Sequence, residues 1–428
     1  MLARLLYTLA WLFILPFALL RLMWKGRKQP AYLKHVRERL GRYRRRIPGR
    51  VIWVHAVSLG ETRAAEPLVW AMRERWPDHT VLLTHMTPTG RAAAKSMFGG
   101  DTHVRRVYLP YDLPWFVSRF LNRFNPEFGV IMETELWPNL LAACNRRRIP
   151  VLLANARLSE RSASRYRLLP GLSRATFSRL SAIGAQSDED ACRLASLGAV
   201  SPQVTGSVKF DITPPPRLLE LGTAFRQRAG NRRIVLAAST REGEEALMLD
   251  AFTRMTGPDA HDVLLVIVPR HPERFDDVAG LIAERALIFQ RRSADEPIAA
   301  TCRVWLGDSM GELFAYYAMA DIALIGGCWL PFGGQNPIEA SAVGTPAVLG
   351  PFTFHFERIA AQAVQAGAAV RTESAEAGMQ TALKLLEDAQ ACAAMSSAGK
   401  RFVEAHRGAT QKTMALIESM QGGCPPVG

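Results

Sequence analysis

A chain of 428 residues is too long for one ordinary hydrophobic core, so two domains are the natural expectation. Hydrophobic residues make up 48% of it, which argues against extended disorder. A net charge of +14 points to an anionic partner: nucleic acid, an anionic membrane surface or a phosphorylated substrate.

The six cysteines (Cys144, Cys192, Cys302, Cys328, Cys392, Cys424) are scattered, and no CxxC, HxxH or HExxH occurs. A disulfide framework and a structural zinc site are therefore disfavoured, and a reducing compartment fits.

At the N-terminus, Arg4 and Arg21 bracket the uncharged run Leu5 to Leu20, and Leu22-Met23-Trp24 extends it. Residues 1–24 read as a membrane anchor, either spanning or lying in the interface, with a helix for docking a partner as the alternative. Pro16 is tolerable in a membrane helix. No small-x-small cleavage site follows, so a cleaved signal peptide is not expected. Residues 25–49 form a basic linker: Lys25, Arg27, Lys28, Lys34, Arg37, Arg39, Arg42, Arg44, Arg45 and Arg46. Such charge stays on the cytoplasmic side and suits anionic lipid. No nucleic-acid motif accompanies it.

Residues 50–213 alternate apolar strands with helical stretches. Strands are expected at 51–57, 80–85, 104–108, 128–132, 150–154, 181–186 and 202–206, a βαβ rhythm that implies a mostly parallel sheet. The first strand ends in Ser58-Leu59-Gly60-Glu61 and feeds a helix carrying Leu68, Val69 and Met72. Ligands of such sheets bind outside the carboxyl ends of the strands, so Glu61 sits at the mouth. Glu133-Thr134-Glu135-Leu136-Trp137-Pro138-Asn139 occupies the same position after another strand. Its acids are either functional or simple first-turn charge. Arg157 either contacts an anion or pairs at the surface. Lys209, within Gly206-Ser207-Val208-Lys209-Phe210-Asp211, stands where a hinge would meet a negative substrate. Pro214-Pro215-Pro216 marks the boundary.

A second α/β sheet is expected over 217–400, with strands at 234–238, 263–268, 304–306 and 322–325 and another ending at Val348-Leu349. Ser58-x-x-Glu61, Ser239-x-x-Glu242 and Ser309-x-x-Glu312 match the capping box. Asn336-x-x-Glu339 is a variant with Pro337 at the first helical position. Each Glu therefore either only starts a helix or belongs to a set of helix starts that hold a phosphate without metal. Gly307, Gly311, Gly333 and Gly334 let backbone approach a nucleotide. The tail, 401–428, should be helical, with Gly422-Gly423-Cys424-Pro425-Pro426 as a frayed end.

Five blocks carry a resemblance: His55-Ala56-Val57-Ser58-Leu59-Gly60-Glu61, Met132 to Asn139, Gly206 to Asp211, Val268-Pro269-Arg270-His271-Pro272-Glu273-Arg274, and Gly333-Gly334-Gln335-Asn336-Pro337-Ile338-Glu339. Along nearly its whole length the chain resembles the 3-deoxy-D-manno-octulosonic acid (Kdo) transferases of Gram-negative lipopolysaccharide assembly. That family implies an α/β GT-B fold, with two Rossmann-like domains facing a cleft, and an inverting, membrane-associated glycosyltransferase. Two departures stand out: Gln335 where the family usually has His, and His355 where Asn is common.

The resemblance further implies CMP-Kdo as donor and a glucosamine hydroxyl of the lipid A precursor (lipid IVA) as acceptor. Residues 50–213 would bind the acceptor and 217–400 the CMP-sugar, on the cytoplasmic side of the inner membrane. Glu61 would be the proton acceptor, kept ionised by the helix dipole. Glu133 and Lys209 would support the transition state. Pro269, Arg270, Met310, Gly311, Glu312, Asn336, Pro337, Ile338 and Glu339 would hold CMP, with Glu339 on the ribose. Ser58, Gly60, Ser239 and Gly334 are further substrate-binding candidates. No metal, cofactor, nucleic acid or protein partner is implied. Two other readings stand beside this one. The first is a GT-B epimerase or another glycosyltransferase, which for an epimerase leaves the anchor unexplained. The second is a membrane-tethered nucleotide-binding scaffold, in which Glu61 only caps a helix.

Overall fold

Runs of β-branched and aliphatic residues, buried on both faces, form parallel sheets in the computed structural model, which describes residues 2–44, 46–257 and 262–422. Arg45 and the segment Gly423-Cys424-Pro425-Pro426 lie outside the described residues. Two compact units emerge: residues 1–211 with 407–428, and residues 212–406.

The first unit holds β1 (Val51–His55), β2 (Thr80–His85), β3 (Val104–Tyr108), β4 (Phe128–Met132), β5 (Val151–Ala156), β6 (Ala182–Ala185) and β7 (Gln203–Val204). All pair in parallel, in the order β3-β2-β1-β4-β5-β6-β7. The order reverses between β1 and β4, which makes their exits the topological switch point. The second unit holds β8 (Arg233–Thr240), β9 (Val263–Pro269), β10 (Phe289–Arg291), β11 (Val304–Leu306), β12 (Ile322–Ile325), β13 (Ala347–Leu349) and β14 (Ala369–Arg371). Their order is β10-β11-β9-β8-β12-β13-β14, with the switch between β8 and β12. β1 stops at His55, and β7 is shorter than expected because Gly206 (φ 86°) turns the chain away.

The C-terminal helix Ala409–Gly422 belongs to the first unit, where Ala409, Leu416 and Ile417 join the core beneath β1 and β5. Asp211 ties this return. Its carboxylate accepts from Gly408 N at 2.7 Å and from Thr410 N, the unpaired amides at the start of that helix.

At the other end, α1 (Leu2–Lys28) is long and apolar enough to cross a membrane. One of its faces (Trp11, Leu15, Ala18 and Leu19) packs on Tyr111, Leu113 and Phe116 of the first unit. The opposite face exposes Leu2, Leu5, Leu9, Phe13 and Phe17. The basic linker is not uniformly available to lipid. Arg39 is buried, donates to Met86 O at 3.0 Å and lies 4.0 Å from the Tyr108 ring centroid. Arg39 therefore serves packing, because its planar guanidinium stacks where an ammonium would not.

Asp211→Ala should destabilise the protein by about 1–2 kcal/mol, the scale of a lost cap. Amide exchange would accelerate first over 408–422, which hydrogen-exchange mass spectrometry can read.

Candidate active site

The switch point of the first unit is built from β1 outward. All five residues of β1 are buried, so the strand delivers a rigid exit. Ser58 caps the short helix Leu59–Ala64, its Oγ accepting from Glu61 N at 3.4 Å and donating to Glu61 Oε1 at 2.9 Å. Val57 N donates to Glu61 Oε2 at 2.9 Å. Thr62 Oγ1 donates to Ser58 O at 2.7 Å, which locks the turn. Beneath it, His85 Nδ1 lies 2.9 Å from Ala56 O, and His55 Nδ1 lies 2.9 Å from Thr84 Oγ1. Burial holds His55 near pKa 3 and His85 near pKa 4, so both imidazoles are neutral supports.

Glu61 itself is only 8% exposed. Burial pushes its carboxyl up to about 7; Glu133 and Glu135 add to the rise, while the Val57 N–H and the Ser58 hydroxyl oppose it. The expectation of a carboxylate held ionised by a helix dipole therefore fails. The helix has only six residues, and desolvation outweighs its field.

Glu133 follows β4 in a left-handed conformation (φ 55°), its amide bonded to Ala154 O at 2.9 Å. That conformation is uncommon for a residue with a side chain and marks a local constraint at the sheet exit. Thr134 Oγ1 donates to Arg157 O, so Arg157 contributes its carbonyl to the loop while its side chain stays exposed. Burial and Glu133 raise the Glu135 carboxyl as well. Three mutually repelling carboxyl groups thus share the β1/β4 exit.

Lys209 sits on a one-turn helix, Val208–Phe210, at the same edge of the sheet. Asn155, also left-handed (φ 52°), accepts from Val208 N at 3.3 Å, and Asp211 anchors the far side. One further residue braces the loop after Glu135. Asp112 accepts from Asn139 N at 2.9 Å and Leu140 N at 2.8 Å, and burial pushes it up to about 6 against those bonds.

In the second unit, the β8/β12 switch is held by Glu244, which is fully buried. Its carboxylate accepts from Arg241 N at 2.9 Å, Gly327 N at 2.7 Å and Trp329 N at 2.9 Å, joining the two exit loops. Glu245 bonds Thr240 Oγ1 at 3.1 Å and Arg274 at 3.4 Å, so Arg274 is structural. Neither glutamate was singled out in the sequence; a Gly-Glu-Glu shortly beyond a strand end is the available signal. Gly326 runs against the β8 bulge, where an added Cβ would lie 2.4 Å from Ser239 O.

Only one of the four capping boxes forms. Ser239 is the bulged residue of β8 (φ 56°), and the next helix starts at Glu244 behind Gly243, so Ser239-x-x-Glu242 caps nothing. Glu312 is itself the N-cap of Leu313–Met319; Ser309 Oγ donates to its carboxylate at 2.6 Å, and Arg292 pairs with it at 3.2 Å. Asn336 Oδ1 accepts from Ile338 N at 3.1 Å, one position too early for the box. Longer, glycine-bearing turns at these exits break the expected spacing.

The remaining residues expected to hold CMP gather at the second sheet's exits. Pro269 ends β9, and Arg270 N donates to Thr240 O at 2.9 Å. Burial first, then Arg241 and Arg270, lower the His271 pKa, so two guanidinium groups lie close to a neutral imidazole. Met310 is exposed, Gly311 and Gly334 have positive φ, Pro337 caps the helix Ile338–Val343, and Glu339 lies near Tyr317. Both departures from the family pattern pack on the glycine loop. Gln335 N donates to Gly326 O at 3.0 Å, and His355 N donates to Gly333 O at 2.9 Å.

The raised Glu61 carboxyl has a thermodynamic consequence. Between its ordinary pKa of 4.5 and about 7 the folded state holds a proton that the unfolded chain has released, so stability falls as pH rises through that window. Glu61→Gln removes this loss. The melting temperature of Glu61→Gln minus that of the wild type should therefore be larger at about pH 8 than at about pH 5.

A family model described as 3-Deoxy-D-manno-octulosonic-acid transferase (kdotransferase) matches residues 34–212. The 3-deoxy-D-manno-octulosonic acid transferase of Bordetella pertussis is 43% identical over 394 residues, covering 90% of this chain and 91% of its own. The transferase of the same name from Haemophilus influenzae is 36% identical over 400 residues, covering 91% and 92%. Among solved structures, UDP-GlcNAc 2-epimerase from Neisseria meningitidis aligns with a TM-score of 0.59 at 15% identity, covering 87% of this chain and 100% of that one. That likeness is one of fold and makes the architecture GT-B. With relatives of one activity matched along almost the full length of both chains, the protein belongs to the 3-deoxy-D-manno-octulosonic acid transferase family.

Proposed function

We propose that the protein transfers Kdo from CMP-Kdo to a glucosamine hydroxyl of the lipid A precursor lipid IVA, with inversion, during lipopolysaccharide core synthesis. The first unit receives the acceptor and the second the CMP-sugar. Family membership supports Kdo transfer, and the base assignment rests on Glu61, buried at the β1 exit with the Val57 amide and Ser58 hydroxyl on its carboxylate and raised by burial to about 7 beside Glu133 and Glu135. A residue that only capped a helix would gain nothing from that environment. A general base gains a proton affinity matched to neutral pH.

In the proposed step the acceptor hydroxyl attacks the anomeric carbon from the face opposite CMP. A new C–O bond forms and the bond to the phosphate oxygen breaks. The hydroxyl proton passes to Glu61, and CMP leaves with the electron pair. By analogy with glycoside hydrolysis the transition state has oxocarbenium character. Glu133 and Lys209 support that charge separation, and Arg270 with the neighbouring Arg241 offers positive charge to the leaving phosphate. Glu339 is assigned to the ribose, and the loops at Met310-Gly311-Glu312 and Asn336-Pro337-Ile338 to the nucleotide. The chemistry uses no metal or cofactor. α1 holds the enzyme at the cytoplasmic face of the inner membrane, where a lipid acceptor arrives. The epimerase reading has the fold in its favour, but the relatives matched along most of the chain support transfer.

Incubation with CMP-Kdo and tetraacylated lipid A precursor, followed by mass analysis, should show addition of Kdo. Wild-type kcat/KM should fall about tenfold per pH unit below about 7 and level off above it. Glu135→Gln should shift that limb to lower pH, because it removes a charge that raises Glu61. Glu61→Gln should lose about 10²–10⁴-fold in kcat. A Glu61→Gln enzyme of normal activity would sink the base assignment.

A further inference from the structure

The sequence of α1 is apolar all round, but its surroundings are not. Along the Tyr7–Leu22 stretch one side is in contact with the first unit. Tyr7 lies beside Asp112, and Asn139 Nδ2 donates to Thr8 Oγ1 at 3.0 Å. Trp11 lies 5.9 Å from Tyr111 and 6.0 Å from Trp137, ring centre to ring centre. Leu15, Ala18 and Leu19 close the contact on Leu113 and Phe116. Folding thus makes α1 amphipathic, with a protein face and an unpartnered apolar face of Leu2, Leu5, Leu9, Phe13 and Phe17.

Both ends of the helix carry cations. Near its start, Arg4 and Arg179 line one small pocket between α1 and the helix Pro170–Phe177. Burial, then Arg4 and Arg146, holds the Arg179 guanidinium below the ordinary arginine range, so three positive groups converge there. At the far end stand Arg21, Lys25, Arg27 and Lys28, with Lys25 over Tyr32 and Lys28 over Trp24.

We propose that α1 lies flat in the cytoplasmic leaflet of an anionic phospholipid membrane, its outer face among the acyl chains and both charged ends on headgroups, and does not span the bilayer. Spanning would surround the helix with lipid. It would either peel α1 from Asn139 and Asp112 or pull Arg146 and Arg179 into hydrocarbon, where a guanidinium is strongly disfavoured. Lying flat keeps every contact of the docked face and buries the other, which is the geometry of an interfacial helix. A helix of this length, about 40 Å, then spreads its two cationic ends along one headgroup layer. The Glu133-Thr134-Glu135 loop is coupled to that layer through Trp137 and Asn139. The inference rests on reading α1 as the membrane-facing element and adds its orientation.

The test uses the full chain with a short hydrophilic, protease-cleavable tag ahead of Met1, expressed in bacteria. In sealed inside-out membrane vesicles the catalytic units face outward. Added protease should remove the tag from these vesicles and leave it intact in spheroplasts. Cleavage in spheroplasts and protection in inside-out vesicles overturns the proposal, since α1 then spans. A chain recovered mainly in the soluble fraction as a dimer overturns it too, because a second copy then covers the face. Kdo transfer is assayed on the same vesicles. Loss of transfer with the tag still cleaved from the outside refutes the reaction and leaves the orientation standing.

Discussion

One carboxyl group taken out of water sets the terms for the first unit. Glu61 has two partners, the Val57 amide and the Ser58 hydroxyl, and together they do not offset its burial. Ionisation at this site is therefore difficult, and two further acids at the β4 exit make it harder. A fold shaped by stability alone would not gather three carboxyl groups there. The arrangement makes sense where a proton must be taken up at neutral pH and released again.

Much of the surrounding structure serves to hold that group still. The neutral imidazoles of His55 and His85 brace the turn from below. Asn155 and Asp211 fix the Lys209 turn, and Asp211 also fastens the chain where it returns as the last helix. Asp112 and Asn139 extend the same scaffold from the Glu135 loop to α1. The second unit repeats the principle with a different purpose. Glu244 spends its oxygens on backbone amides, so it is a structural fastening of two loops.

Most strands and the fold class were legible from apolar runs, because parallel strands buried on both faces leave an unmistakable pattern. The short edge strands β10 and β14 were not, since Phe289-Gln290-Arg291 and Ala369-Val370-Arg371 carry little of it. Glu61, Glu133 and Lys209 were findable as polar residues at strand exits. Their supports were harder to see: Asp112, Asn155 and Glu244 act through backbone amides that are distant in sequence. The capping boxes misled for a related reason. Four residues at the right spacing cannot reveal a bulge at Ser239 or a left-handed Gly243, and those decide where a helix starts. The docked face of α1 is invisible in a sequence that is apolar all round, which is why a spanning anchor and an interfacial one look alike there.

The direct measurement is of the Glu61 proton itself. With glutamate carboxyl carbons labelled by 13C, the signal absent from Glu61→Gln identifies Glu61 in the wild-type spectrum, and its shift can be followed with pH. A midpoint near 7 is expected from the burial and the neighbouring acids. A midpoint at the ordinary 4.5 would mean that the group is fully ionised at neutral pH, and the poised base would have to be abandoned.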